Sequence, residues 1–238
     1  MKIRMPFGRV VFAVAVFLFS LVALTPLSLA VRWLGLDTRG LAAREAEGSV
    51  WLGALKEAQL GPAPIGDVSA RLHSLPLFLG RARVSLARAD QSRPFEGAAT
   101  VSRHAFGFDD ATGQLRLGAL LAPLPIGAVE LQGVSIGFAG GLCSRAEGRV
   151  RAVASGDVGG MSLSSGLAGN AACAGDAAVL PLVGQSGMEQ LNIRLFADGR
   201  YRAELLIRSQ DAALGQRLVA AGFTAGNGGF ARVVEGRF

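Results

Sequence analysis

The chain opens with one long apolar segment and continues as short stretches in which apolar and polar residues alternate. Residues 10–31 form an uncharged run of 22 residues between Arg9 and Arg32. As a helix, this run would be about 33 Å long, which is enough to cross a hydrocarbon core of about 30 Å. The pattern therefore predicts a single transmembrane helix over residues 10–31, as an uncleaved signal anchor.

Basic residues around the apolar run predict its orientation. Lys2, Arg4 and Arg9 precede the run, whereas mixed charges follow it. Because positive charge collects on the cytoplasmic side of a span, residues 1–9 are expected in the cytoplasm and residues 32–238 on the far side of the membrane. Trp33 stands directly after the run, where an amphipathic ring suits the membrane interface.

A cleavable signal peptide is the alternative interpretation of this segment. Ser28, Leu29 and Ala30 fit the small-x-small cleavage rule, and Pro26 could end a shorter apolar segment over residues 10–24. Both interpretations leave the same exported domain and differ only in how it is attached.

Alternation with a period of two dominates residues 32–238, and glycine interrupts it roughly every 8 to 12 residues, as in antiparallel sheets. The clearest example is Asn192–Phe196 followed by Tyr201–Ile207, with Asp198 and Gly199 between them. Asp-Gly between two alternating runs is a strong hairpin signal. The sequence therefore predicts a mainly β, single-domain exported region.

Residues 211–221 depart from this alternation. Leu214, Leu218 and Val219 recur at helical spacing, and Gly222 follows where a helix would end. We expect one short helix near the carboxyl terminus.

An internal similarity suggests how the sheet is extended. Residues 60–68 match residues 121–129 at six of nine positions, including two prolines and an Ile-Gly pair. A repeated strand-turn-strand unit would extend one curved antiparallel sheet, shaped like a groove or half-barrel, with edges open to strand addition. Chance similarity in a chain rich in Ala, Gly and Leu is the alternative.

The positive charge of the chain does not indicate a nucleic-acid site. Omitting the three basic residues before the apolar run lowers the formal net charge from +6 to +3. The arginines alternate with apolar residues, as at Arg71, Arg81, Arg83 and Arg88, and do not cluster. They are interpreted as solvated strand positions, so no nucleic-acid partner is expected.

Cys143 and Cys173 are the two cysteines of the chain, and neither belongs to a CxxC or a Cys/His metal pattern. In an oxidising exported compartment, a disulfide between them is the natural interpretation, with two buried free thiols as the alternative.

Patterns typical of catalysis are missing from the sequence. It contains no nucleophile elbow, phosphate-binding loop or zinc-protease helix motif. His73 and His104 are the only imidazoles and fit surface or structural roles, and Asp109–Asp110 fits a solvated turn beside glycine. Phe95, Phe106, Phe108 and Phe138 are expected to pack into the sheet. The sequence thus predicts no enzyme, no cofactor and no metal.

One short motif resembles a known family. Residues 47–53 read Glu-Gly-Ser-Val-Trp-Leu-Gly, and Gly48, Trp51 and Gly53 are similar to the G-[TS]-[VL]-W-x-G signature of type II secretion system protein N. Further segments follow in that family's order. They are residues 68–72, the Leu-rich residues 75–80, Cys143 and Cys173, the hairpin at residues 197–201 and the tail at residues 221–238. Leu52 departs from the signature, where a small polar residue is more usual.

The resemblance implies a non-enzymatic accessory component of the type II secretion system. Its implied location is the bacterial inner membrane, crossed once, with the carboxyl-terminal domain in the periplasm. Its implied partners are other secretion components in the inner membrane and periplasm. Trp51 is interpreted as a large anchor within the first hairpin. The alternative is a lipid-handling or envelope-bridging β-groove protein, for which lipid would be the partner.

Overall fold

The structure is a computed structural model that describes residues 11–14, 16–17, 20, 26, 41–42, 44–60, 63–88, 90, 94–158, 161–162, 166–226 and 228–237. Strands make up most of the described chain. They are β1 (Leu41–Ala42), β2 (Glu45–Gly48), β3 (Gly53–Leu60), β4 (Ala63–His73), β5 (Arg81–Arg88), β6 (Phe95–Ser102), β7 (Ala105–Arg116), β8 (Ile126–Ala139), β9 (Leu142–Ala154), β10 (Asp157–Val158), β11 (Met161–Ser162), β12 (Leu167–Asn170), β13 (Ala172–Ala174), β14 (Ala177–Gly184), β15 (Glu189–Phe196), β16 (Arg200–Ile207), β17 (Thr224–Gly226) and β18 (Gly229–Arg237). Three short helices interrupt them: α1 (Ser74–Phe78), α2 (Gly118–Leu121) and α3 (Ala212–Ala220).

The strands form one large open antiparallel sheet, which confirms the mainly β prediction. Its hydrogen-bonded order is β1-β3-β4-β5-β6-β7-β8-β9-β12-β14-β15-β16-β18-β17, with β2 paired to β3 and β13 paired to β14. The strands β10 and β11 form a separate hairpin. Neighbours along the chain are mostly neighbours in the sheet, so short connections fix the register.

Part of the predicted membrane span can be compared with the structure. Residues 11–14, 16–17 and 20 are helical, and Phe12 and Phe17 are exposed. Among the described residues, the structure contains no helix that is both long and apolar enough to cross a membrane. Pro26 is also described, and it forms an antiparallel bridge with Ser49 rather than part of a helix. The other residues of the run, residues 1–9 and Trp33 lie outside the described residues.

The hairpin predicted at Asp198-Gly199 is confirmed by β15 and β16. These strands pair antiparallel from Glu189 and Ile207 to Leu195 and Tyr201. Gly199 has φ +83° and donates its amide hydrogen to the Phe196 carbonyl oxygen at 3.1 Å. Glycine reaches this left-handed conformation without the steric penalty of a side chain.

The predicted carboxyl-terminal helix is confirmed as α3. The Asp211 carboxylate accepts the Ala213 amide hydrogen at 2.8 Å and caps the start of the helix. Leu218 is fully buried in the core. Gly222, with φ +85°, follows the last turn and donates to the Val219 carbonyl oxygen at 2.9 Å.

Helix α2 lies inside the bend of the sheet. It contacts β4, and its Leu120 carbonyl oxygen accepts a hydrogen bond from the Tyr201 hydroxyl in β16. The strands β4 and β16 are nine intervals apart in the sheet order. In a flat sheet that separation would be about 43 Å, far wider than a helix. The sheet therefore bends round α2.

The main hydrophobic core fills the space between α2, α3 and the sheet face towards them, which we call the inner face. Leu120, Leu121 and Leu124 pack there with the largest buried side chains of the strands, which are Ile126, Val150, Leu167, Leu182, Leu191, Leu205 and Ile207. The core is thus concentrated between β8 and β18.

The predicted repeat is wrong as a structural unit. Residues 60–68 run from the end of β3 into β4, whereas residues 121–129 run from α2 into β8. Both copies lead into a long strand, as Pro-x-Pro-Ile-Gly favours extended backbone. In the second copy, Leu121 and Leu124 are buried in the core, and this burial draws the chain inward.

Candidate interaction surfaces

Several connections lie at one end of the sheet, which we call the upper end, and four of them follow one another along the first half of the sheet. They join β2 to β3, β4 to β5, β6 to β7 and β8 to β9. In an antiparallel sheet built from sequential neighbours, alternate connections emerge at the same end. Helix α2 and helix α3 lie at the opposite, lower end.

The family motif forms the connection between β2 and β3. Ser49 and Leu52 exchange backbone hydrogen bonds of 3.0 and 3.1 Å, and Gly48 pairs with Gly53 below them. Gly48 has φ +84°, and a Cβ atom there would lie 2.5 Å from the Leu52 carbonyl oxygen. The turn therefore requires glycine at position 48. Trp51 is half-buried within the turn, whereas Leu52 is 60% exposed.

Helix α1 exposes large apolar side chains at the upper end. None of its residues is buried. Leu75, Phe78 and the following Leu79 are 79%, 86% and 78% exposed. The resemblance placed this Leu-rich stretch in the family's layout, and the structure shows that it projects from the sheet.

A disulfide joins Cys143 in β9 to Cys173 in β13, with 5.5 Å between their Cα atoms. Backbone contacts support the same junction, because the Cys143 amide donates to the Gly175 carbonyl oxygen at 3.2 Å. Since β13 has three residues and pairs only with β14 in the described structure, the covalent bond secures it against β9.

The face opposite the inner face carries a charged cluster centred on Asp109. Its carboxylate accepts a hydrogen bond from the Thr100 hydroxyl at 2.7 Å and is ion-paired with Arg83 at 3.4 Å and with Arg145. The Asp109 side chain is only 16% exposed.

The predicted solvated turn at Asp109–Asp110 is therefore wrong. Both residues lie within β7, at an irregularity in its pairing with β8. Asp110 has φ +51°, and its amide donates to the Ser135 hydroxyl at 3.0 Å. A polar pair flanked by glycines fits a turn and a bulge equally well, so the sequence carried no signal that separates them.

The arginines are less uniformly solvated than the alternation predicted. Arg71 and Arg81 are exposed, but Arg83 pairs with Asp109. Arg88 is partly buried and lies 5.9 Å over the Phe95 ring. Arg83 and Arg88 therefore make contacts within the sheet.

The two histidines lie in different settings. The His73 Nε2 atom is 2.7 Å from the Ser85 hydroxyl, and His104 is exposed in the connection between β6 and β7. In the part of the chain that the structure describes, no group of three or more His, Cys, Asp or Glu side chains could hold a metal ion.

The inner face is open towards the upper end. The register pairs Val101 with Phe106 and Phe106 with Phe138, so these side chains share one face. Phe138 is buried and stacks on Phe106 at 5.5 Å, but Phe106 and Phe108 are 44% and 46% exposed. Phe95 is buried as predicted, whereas Phe106 and Phe108 pack only in part.

These features define a large β-sheet protein whose described surface offers apolar and charged patches for contacts. A family model described as type II secretion system (T2SS), protein N, matches residues 39–233. The chain therefore belongs to the type II secretion system protein N family, a family of secretion components of the bacterial envelope. No curated protein and no solved structure matches the chain.

Proposed function

We propose that this chain is a non-enzymatic accessory component of the type II secretion system that supports export of folded proteins across the outer membrane. The observation that carries the proposal is the family match over residues 39–233, which spans nearly the whole sheet. The accessory role, the partners and the absence of catalysis are parts of the proposal that go beyond family membership.

The proposed topology follows from the apolar run. Residues 1–9 are cytoplasmic, residues 10–31 cross the inner membrane once, and residues 32–238 form the periplasmic domain. The run's length and the basic residues before it support this arrangement. The disulfide supports export, because such bonds persist in oxidising compartments such as the periplasm. Trp33 is proposed as the interfacial anchor.

The protein is proposed to act by contacting other secretion components. Exposed apolar side chains at both ends of the sheet support it, with Leu142 at the upper end and Val219 at the lower end being 59% and 52% exposed. Large exposed apolar residues that cluster usually mark a contact surface. Gly48, Trp51 and Gly53 are proposed to serve by shaping the first hairpin.

In-cell photo-crosslinking followed by mass spectrometry tests the proposal. The full tagged chain carries a photoreactive amino acid at Leu142 or, in a matched variant, at Val219. We expect irradiation to recover inner-membrane and periplasmic secretion components from at least one position, and non-irradiated cells to recover none. Recovery of lipid-transport or envelope-stress proteins alone, from both positions, would contradict the proposal.

A lipid-handling groove is the second candidate, and one observation favours it. The sheet bends round α2 while the inner face near Val101, Phe106 and Phe108 stays open, which gives an apolar concave surface. We expect native mass spectrometry in mild detergent to show bound lipid that is lost in Phe106→Asp. Val233→Asp is the matched control, because Val233 is similarly exposed on the opposite face. An equal spectrum for both variants would exclude this candidate.

A further inference from the structure

Two connections at the upper end expose large apolar side chains. Leu52 lies in the connection between β2 and β3, and Leu75, Phe78 and Leu79 follow β4. Each of these four side chains is at least 60% exposed. Loop tips in water are usually polar, so this concentration indicates a surface that meets an apolar phase.

Positive charge surrounds these apolar tips. Arg81 is exposed at the start of β5 and pairs with Ser102, directly before the exposed Arg103 and His104. Residues 49–52, 74–81 and 102–104 contain no aspartate or glutamate. The exposed Glu47 lies in β2 beside the first connection and is ion-paired with Lys56, and Asp109 is ion-paired with Arg83 and Arg145. The surface therefore combines apolar tips with two arginines, Arg81 and Arg103, whose own connections carry no acidic residue, and this combination suits an anionic lipid surface.

One described residue of the apolar run lies at this same end. Pro26, which lies within residues 10–31, forms an antiparallel bridge with Ser49 in the connection between β2 and β3. The bridge places Pro26 beside the connection that carries Leu52. The lower end, with α3, lies at the other end of the strands.

We propose that the upper end is a second membrane-contact surface. Leu52, Leu75, Phe78 and Leu79 enter the boundary between headgroups and acyl chains, and Arg81 and Arg103 bind phosphates of anionic lipids. The proposal deepens the membrane attachment proposed above, because a chain held by one helix could otherwise swing freely. With two contacts, the strands stand with α3 directed away from the bilayer.

Tryptophan fluorescence in vesicles tests this contact. Full-length Phe78→Trp is reconstituted into vesicles of phosphatidylethanolamine and phosphatidylglycerol with brominated acyl chains. Val219→Trp is the matched control at the lower end, and the parent chain supplies the background of Trp33 and Trp51. We expect the emission added at position 78 to be quenched by bromine and shifted to the blue, and that added at position 219 to be unchanged. Equal quenching at both positions would overturn the proposal.

The charge component is tested in the same vesicles. Replacing phosphatidylglycerol with phosphatidylcholine, or combining Phe78→Trp with Arg81→Gln and Arg103→Gln, is expected to reduce quenching at position 78. If quenching at position 78 is unchanged by both the lipid replacement and the arginine substitutions, the proposed role of the arginines is wrong.

Photo-crosslinking at Phe78 in cells identifies the occupant directly. We expect adducts with lipid, and exclusive capture of one protein would overturn the membrane assignment. Since vesicle quenching needs no secretion component, it can succeed where recovery of secretion proteins fails, and the two proposals can therefore fail separately.

Discussion

The Tyr201 hydroxyl donates a hydrogen bond to the main-chain carbonyl oxygen of Leu120, 81 positions earlier in the chain. Tyr201 is 7% exposed, and Leu120 is buried in the same core. The bond joins α2 to β16 across the inner face. It satisfies a buried carbonyl oxygen that a short helix leaves free at its end.

Tyr201→Phe tests the energetic weight of that bond. We expect the free energy of unfolding to fall by about 1–3 kcal/mol, because the Leu120 carbonyl oxygen loses the hydroxyl donor in a buried site. Urea unfolding followed by circular dichroism measures the change. Val233→Thr, on the exposed face of β18, should change the free energy of unfolding far less. Equal effects of the two substitutions would show that the hydrogen bond does not contribute to stability.

Titration of Tyr201 tests its burial in another way. Burial raises the pKa of the Tyr201 hydroxyl above the usual value of 10.0. Because the folded state then holds the proton more strongly than the unfolded state, stability should decline as the pH rises above about 10, and Tyr201→Phe should lack this decline. Since the chain has one tyrosine, ultraviolet titration reports this group alone. An identical midpoint in native and denatured protein would contradict the prediction.

Loss of the disulfide should destabilise the domain. The bond closes a chain separation of 30 residues, and we expect Cys143→Ser combined with Cys173→Ser to cost about 2–4 kcal/mol. Thermal and urea unfolding measure the loss. Reduction of the parent chain should reproduce it, and reduction of the double variant should have no further effect.

The Gly48 turn can be tested with a matched glycine. Gly187 also has a positive φ, of +71°, but no atom lies within 4 Å of the position of its Cβ. Gly187→Ala should therefore cost only the backbone penalty of about 1–2 kcal/mol. Gly48→Ala should cost more in urea unfolding, because the added methyl group also meets the Leu52 carbonyl oxygen. The reverse order would contradict the turn geometry.

Asp109→Asn should destabilise more than the loss of an exposed ion pair. The Asp109 carboxylate is mostly buried and serves Thr100, Arg83 and Arg145, so we expect a loss of about 1–3 kcal/mol. Glu235→Gln is the control, because its pair with Arg202 is exposed on both sides and should contribute less than about 1 kcal/mol. Urea unfolding at two salt concentrations separates the two cases, and equal losses would refute the difference.

Local sequence patterns predict much of this fold. The hairpin turn and the boundaries of α3 follow from short-range chemistry. Gly199 allows the turn, and Asp211 and Gly222 mark the start and the end of α3. Alternation likewise identified the sheet.

Long-range features were beyond such patterns. The inward course of Leu121 and Leu124 depends on β4 and β16 lying on both sides of α2, which no local residue pattern specifies. The Asp109 cluster likewise needs Arg145 from a strand 36 residues later. The sequence does not predict that the α1 side chains are exposed, since a Leu-rich stretch is typical of a core.

The position of α2 also bears on cooperativity. A sheet in which each strand touches only its neighbours would behave like a repeat array, which can fray from its ends in steps. The contacts of α2 with β4 and β16 tie distant strands to one another. Strands β4 to β16 should therefore unfold as one unit, and they should fold slowly, because closing such long loops comes before their contacts stabilise the chain.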